Sequence, residues 1–353
     1  MRRTEKDILG TKELSEETLY GINTARALEN FALGQKKMNR ELVRAIVIVK
    51  KAAAGTYLKL KIGNEDVESA IINACDHILN HECDMEACFP LQALQGGAGT
   101  SANMNVNEVL ANLALLEMGR KPGEYDVIHP LDDVNRGQST NDVYPTALRI
   151  AAIRQLRLLS DACAKLQTAF QEKENLWQDV EKLGRTELMD AVPVTLGEEF
   201  GAYAQALARD RWRLYKVEER LRQVNIGGTA VGLSTNADRK YRFGVIEELR
   251  RLTGYGLAAA HGEFELNAFM PLIADSLLES LELMTSSVQL FREKCIEPLQ
   301  VNEKNCRKYL EASSAFAASY VPALGYDQVS RIIRDCSPEE AVKELKKCLE
   351  QKE

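Results

Sequence analysis

No stretch of this 353-residue sequence approaches the roughly 18 consecutive apolar residues that a membrane-spanning helix needs. The first ten residues, MRRTEKDILG, also lack the apolar core of a secretory signal. The expectation is a cytoplasmic protein with no membrane partner. Basic residues are the minority, 45 Lys and Arg against 52 Asp and Glu. That balance argues against nucleic acid as the main partner, yet a local site can still oppose the global charge and take an anionic substrate. Paired Cys-x-x-Cys spacing is missing too. The eight cysteines (Cys75, Cys83, Cys88, Cys163, Cys295, Cys306, Cys336 and Cys348) are scattered along a long chain and read as reduced thiols. His77, His81, Cys83 and Cys88 do cluster. Without the spacing of common zinc sites the cluster reads as structural or incidental, and no metal or cofactor is expected. Internal repeats, low-complexity tracts and sustained two-residue alternation are absent as well.

What the sequence has is helical periodicity. Ala152, Leu156, Leu159, Cys163, Leu166, Phe170, Trp177 and Val180 fall at alternating three- and four-residue spacing, broken only at Lys173. So do Leu196, Phe200, Tyr203, Leu207, Leu214, Val217, Leu221 and Val224, broken at Asp210. A third series runs Met270, Ala274, Leu277, Leu281, Met284, Val288, Phe291 and Cys295. A period of 3.5 over several heptads is the pattern of near-parallel helix packing. Pro193 and Pro271 lie at or before the starts of the second and third series, where proline is tolerated. The expectation is an all-α core. Helices of about 30 residues are about 45 Å long, and seams of that length are more readily covered by several chains than by a monomeric three-helix bundle. The expected divisions are a mostly helical region over 1–140, a long-helix bundle over 141–300 that carries oligomerisation, and a small helical region over 301–353.

Three polar stretches carry candidate chemistry. Gln95 to Asn112 reads QGGAGTSANMNVNEVLAN. Its glycines allow a tight turn and close approach to a ligand. Thr100, Ser101, Asn103, Asn105 and Asn107 then supply neutral donors able to cradle a carboxylate, and the competing reading is a polar helix cap. Val134 to Arg149, VNRGQSTNDVYPTALR, sets Gly137 before Ser139, Thr140, Asn141 and Asp142. A helix beginning there would favour an anion at its N-terminus, and Asp142 would serve equally as its cap. Gly184 to Phe200, GRTELMDAVPVTLGEEF, places Arg185, Thr186, Glu187 and Asp190 ahead of the second helical series. Charged turns of that kind between helices are usually solvated.

Together, GGAGTS, STND followed by YPT, and GRT-x-L-x-DAVP-x-TLG-x-EF resemble, in order and spacing, the early signature regions of the aspartase/fumarase superfamily. They look like the aspartase rather than the fumarase branch. LYGINTARALENF (19–31), VNIGGTAVG (224–232) and GEFELNAFMP (262–271) are similar to further family stretches, so the resemblance covers most of 15–335. It implies a three-domain, all-α architecture with a central helix bundle, a homotetramer with each active site built from three subunits, and a small dicarboxylate or amino-acid substrate. The implied reaction is that of a carbon–nitrogen lyase, aspartate ammonia-lyase in type, taking L-aspartate to fumarate and ammonia by anti elimination. A fumarate hydratase-type lyase and a non-catalytic dicarboxylate-binding assembly protein are the alternatives. By the same resemblance Thr100, Ser101, Asn103, Ser139, Thr140 and Asn141 bind substrate. Thr100, Ser139 and Thr140 hold the carboxylate on which charge builds, and Asn141 faces the amine with Thr186. Thr186 and Glu187 are the catalytic candidates. Glu187 stands where relatives carry His or Gln, and a carboxylate there would pair with an ammonium but repel a second substrate carboxylate.

One family segment has no counterpart. The loop Gly-Ser-Ser-x-Met-Pro-x-Lys-x-Asn-Pro, whose serine is the family's base, matches nothing in this sequence. RLTGYG, ending at Gly256, passes almost directly into LAAAHGEFELN, where relatives carry on the order of 90 further residues. Removing one antiparallel helical hairpin there leaves the direction of the following chain unchanged, so the fold is expected to survive, shortened by that hairpin. Glu187, Asp190 and His261 are the substitute bases the sequence offers.

Overall fold

The structure is a computed structural model that describes residues 1–80, 83–260 and 268–351. His81, His261 and the stretch 262–267 lie outside the described residues. In chain order the elements begin with a ribbon, β1 (Arg2–Asp7) and β2 (Gly10–Ser15), antiparallel with Arg2 opposite Ser15. Helices α1 (Ile22–Asn30), α2 (Arg40–Leu60), α3 (Glu65–Leu79), α4 (Met85–Cys88) and α5 (Thr100–Glu117) follow. A π-helical turn, Pro130–Val134, precedes the 37-residue α6 (Thr140–Leu176). Next come the ribbon β3 (Glu181–Thr186) and β4 (Met189–Thr195), then α7 (Leu196–Leu221), β5 (Gln223–Val224), α8 (Arg239–Thr253), β6 (Ala258–Ala259) and α9 (Met270–Phe291). The chain finishes with α10 (Glu303–Glu311), a 3-10 turn (Ala315–Tyr320), α11 (Val321–Leu324), α12 (Tyr326–Asp335) and α13 (Pro338–Glu350). Two compact units result: Met1–Leu158 with Tyr215–Met284, and Leu159–Leu214 with Thr285–Glu353.

In the first unit α2 is the central helix, packed against α3, α5 and α8. Asn39 starts it, its side-chain oxygen accepting from the Glu41 N–H at 2.9 Å. Asn64 and Asp238 do the same for α3 and α8. Each such cap satisfies an N–H that the helix leaves without a partner. The apolar face of α2 then buries Leu42, Val43, Ile46, Val47, Val49 and Tyr57, each fully sealed aliphatic side chain contributing about 1.5–3 kcal/mol. Tyr57 stacks on Tyr241 of α8 with ring centroids 4.6 Å apart.

The second unit has its own core, in which Leu166 and Phe170 of α6, Trp177, Phe200 and Ala204 of α7 and Ile296 pack together. A smaller cluster of Ala317, Leu324, Val329 and Leu345 holds the C-terminal helices.

Helices dominate, as the periodicity predicts. The α6 series from Ala152 to Phe170 is buried at every position. Along α9 the buried residues are Met270, Pro271, Ala274, Leu278 and Leu281, with Leu278 in the slot the 3.5-residue spacing gives to Leu277. A straight α-helix advances 3.6 residues per turn, and that drift moves the inward position by one. The region 184–195, read as a charged turn, is a β-hairpin instead. Its two-residue tip, Glu187 and Leu188, has φ of 52° and 66°, the left-handed pair that matches strand twist.

Candidate active site

Two helix N-termini in the first unit form the site. Gly99 precedes α5 at φ 89°, and a Cβ there would stand 2.4 Å from the Tyr144 ring of α6. Only glycine satisfies both the backbone and the contact. At the head of α6, the Ser139 Oγ accepts from the Asn141 N–H at 3.3 Å, and Asp142 Oδ1 accepts from the Ser139 N–H at 2.9 Å. The first-turn N–H groups of both helices carry partial positive charge and favour an anion.

Asn103 joins the two ends. Its side-chain amide donates to Thr140 Oγ1 at 3.2 Å and to Asn135 Oδ1 at 3.1 Å. With one lone pair of the Thr140 oxygen so engaged, its hydroxyl hydrogen is left to donate elsewhere. Asn103 Oδ1 is buried with no hydrogen-bond partner among the described residues. Behind this lies Lys50 of α2, wholly buried, its ammonium donating to Asn135 Oδ1 at 2.7 Å and Gln138 Oε1 at 2.9 Å. Burial pulls the Lys50 pKa down to about 7, against the opposing pull of Asp142. Sequence reasoning missed Lys50, because a lysine beside Lys51 on a helix reads as a solvated pair.

Asp142 does more than cap α6. Its second oxygen accepts from the N–H groups of Gly227 at 3.2 Å and Thr229 at 2.8 Å. Thr146, one turn on, accepts from the N–H groups of Asn225 and Ile226. These bonds hold the VNIGGT turn against α6. Burial raises the Asp142 carboxyl to about 6, while the N–H bonds and Lys50 work the other way. Asn141, half-buried, donates its amide to the Ala230 carbonyl at 2.9 Å. That fixes its orientation and leaves its side-chain oxygen as an acceptor, the polarity an ammonium needs.

The other expected residues are placed as follows. Thr100 is exposed at the first position of α5. Ser101 belongs to a different hollow, a cavity of about 620 Å³ whose wall includes Arg26, Met104, Tyr125 and His129. Glu108, also on α5, is a structural group: its carboxylate accepts from the N–H groups of Gly21, Asn23 and Thr24 and so starts α1. Thr186 and Glu187 are exposed on the β3–β4 hairpin of the second unit, where Arg185 faces Asp190 at 3.6 Å. Among the described residues no group of three His, Cys, Asp or Glu is arranged to hold a metal ion. All eight cysteines are free thiols, and no described helix is long and apolar enough to cross a membrane.

A mostly helical protein with paired helix N-termini edged by neutral hydroxyls and amides fits the class of all-α lyases. Comparison with known proteins agrees. The lyase family profile matches residues 10–269. The aspartate ammonia-lyase of Corynebacterium glutamicum is 33% identical, the match taking in 92% of this chain and 79% of that protein. It runs over 418 positions, more than this chain possesses, so that relative carries residues absent here. Among solved structures, the fumarate lyase:delta crystallin of Brucella melitensis superposes with a TM-score of 0.93 at 33% identity, over 98% of this chain and 96% of that one. The class II fumarase of Schistosoma mansoni gives 0.90 at 25% identity, with the same coverage of both chains. The chain belongs to the aspartase/fumarase superfamily of lyases, and its motifs side with the aspartate ammonia-lyase branch.

Proposed function

We propose that the protein is a carbon–nitrogen lyase that converts L-aspartate to fumarate and ammonia by anti elimination. The observation that carries this reading is the Asn103–Thr140 bond, which orients the Thr140 hydroxyl as a donor between two helix N-termini. Such preorganised donors hold the charge that builds on a carboxylate when the neighbouring carbon loses its proton, commonly the largest catalytic contribution. Thr100 and Ser139 complete the carboxylate cradle in this reading. Asn141 and Thr186 face the amine, and Glu187 serves as base. The hairpin that bears Thr186 and Glu187 reaches the cradle of another subunit within a homotetramer, and the three-part division at 140 and 300 belongs to the same proposal.

The missing serine-loop sequence favours a second reading, a dicarboxylate-binding protein without turnover. A positioned proton-transfer group typically contributes roughly 10²–10⁴-fold, so in a lyase working through Glu187 its removal is expected to slow turnover by about that factor. Fumarate absorbance with L-aspartate as substrate, in parallel with succinate binding, separates the two. Turnover that falls by that factor in Glu187→Gln supports the lyase. Succinate binding with no fumarate formed supports the binding protein. Absence of both removes the cradle reading itself.

A further inference from the structure

Lys50 is a costly residue for a helical core. An ammonium sealed from water is unfavourable unless it is paired. Here its hydrogen bonds go to two neutral amide oxygens, those of Asn135 and Gln138. The groups that act on it electrostatically are Asp142 of α6 and Cys75 of α3. Asp142 already spends both oxygens on backbone N–H groups, and burial keeps the Cys75 thiol protonated by raising its pKa. Methionine or leucine would fill the same volume without the penalty. Stability therefore does not account for the charge.

We propose that Lys50 is a positioning residue of the substrate cradle, a buried cation whose missing counter-charge is supplied by the carboxylate that binds at Thr140. The inference rests on the cradle reading given above. The connection is continuous on the first unit: the Lys50 ammonium donates to Asn135 Oδ1, the same oxygen accepts from the Asn103 amide, and that amide donates to Thr140. A protonated Lys50 polarises this chain in the sense that strengthens donation toward the ligand. Because burial sets the Lys50 midpoint at about 7, the side chain is largely the neutral amine in the free protein at pH 8 and above. A dicarboxylate arriving at the cradle restores the charge, and one proton is taken up from solvent to Lys50 Nζ. Affinity is then flat below the midpoint and falls above it, approaching tenfold per pH unit.

The test is calorimetric titration of the intact protein with succinate between pH 7.5 and 9, each run repeated in two buffers of different ionisation enthalpy. That range lies above the Asp142 midpoint of about 6. The wild type is expected to take up close to one proton per succinate at the upper end and to lose affinity with pH. Lys50→Met is expected to bind more weakly at pH 7.5 with no proton uptake. A second variant covers the case in which Lys50→Met does not fold: Gln138→Leu keeps the lysine, removes one acceptor, and is expected to move the midpoint of the pH profile downward. Succinate binding without proton uptake in the wild type, or an unmoved midpoint in Gln138→Leu, overturns the role of Lys50 and leaves the cradle standing. No succinate binding by the wild type removes the cradle, and the Lys50 proposal with it.

Discussion

At the scale of single residues the site is built from groups that do two jobs. Asp142 caps α6 and grips the 227–229 turn; Asn103 bridges two helix ends and orients a hydroxyl. Lys50 has a consequence that needs no ligand. Its folded pKa of about 7 lies below the ordinary 10.5, so between those values the unfolded chain binds more protons than the folded one. Stability therefore rises with pH across that window, by roughly 2 kcal/mol between about pH 7.5 and 9. Asp142 runs the opposite way, its raised carboxyl lowering stability as pH climbs from 3.8 to about 6, and it is finished before that window opens. Urea unfolding at the two pH values should show the rise, and Lys50→Met should flatten it.

Residue types in the polar stretches were informative in the sequence only through their order. Thr140 stands out because STND resembles a family signature, yet Ser101, which ends GGAGTS, carries the same kind of signal and lines another cavity. Lys50 had no signal at all, since a charged residue is recognised as buried only once α3, α5 and α6 are seen around it.

At the scale of elements, the long helices were legible and the ribbons were not. The α6 series is buried at every position from Ala152 to Phe170, and a period repeated that often outweighs local exceptions. The β1–β2 ribbon buries little beyond Glu5 and Leu14, so no alternation of apolar and polar residues announces it. The β3–β4 hairpin is hidden for a related reason. Its tip uses Glu187 and Leu188 at positive φ, where the usual signal would be Asn-Gly. Leucine in the left-handed region costs about 1–2 kcal/mol relative to glycine, and the Leu188 side chain is fully exposed. Leu188→Gly should stabilise the hairpin by ~1 kcal/mol in thermal or urea unfolding. A loss of stability would mean that this leucine is covered in the assembled protein.

At the scale of the whole molecule, most of the apolar residues left uncovered on α9 keep a heptad rhythm, with Leu272 and Ile273 exposed outside it. Leu277, Met284 and Phe291 are spaced by seven and exposed, as are Leu283 and Leu290. A second stripe of that period on a helix whose first stripe already meets its own chain is the pattern of a coiled-coil seam awaiting partners. It supports the proposed tetramer. Light scattering should give about four times the chain mass of 39.4 kDa. Leu283→Glu should shift the population to smaller species while the far-ultraviolet circular dichroism of the helices persists. An unchanged tetramer in that variant would place the contact elsewhere.

The short parallel pair β5–β6 closes the excursion between them: the Ala258 N–H donates to the Arg222 carbonyl and the Ala260 N–H to that of Val224. Such a clasp pins the two ends of a detour and leaves its length nearly free, because closure entropy grows only logarithmically and each doubling adds about 0.6 kcal/mol. The stretch around Gly256 is thus a natural splice point. A helical hairpin from a longer relative, grafted there, would enter and leave through a doorway that the shorter chain already keeps shut.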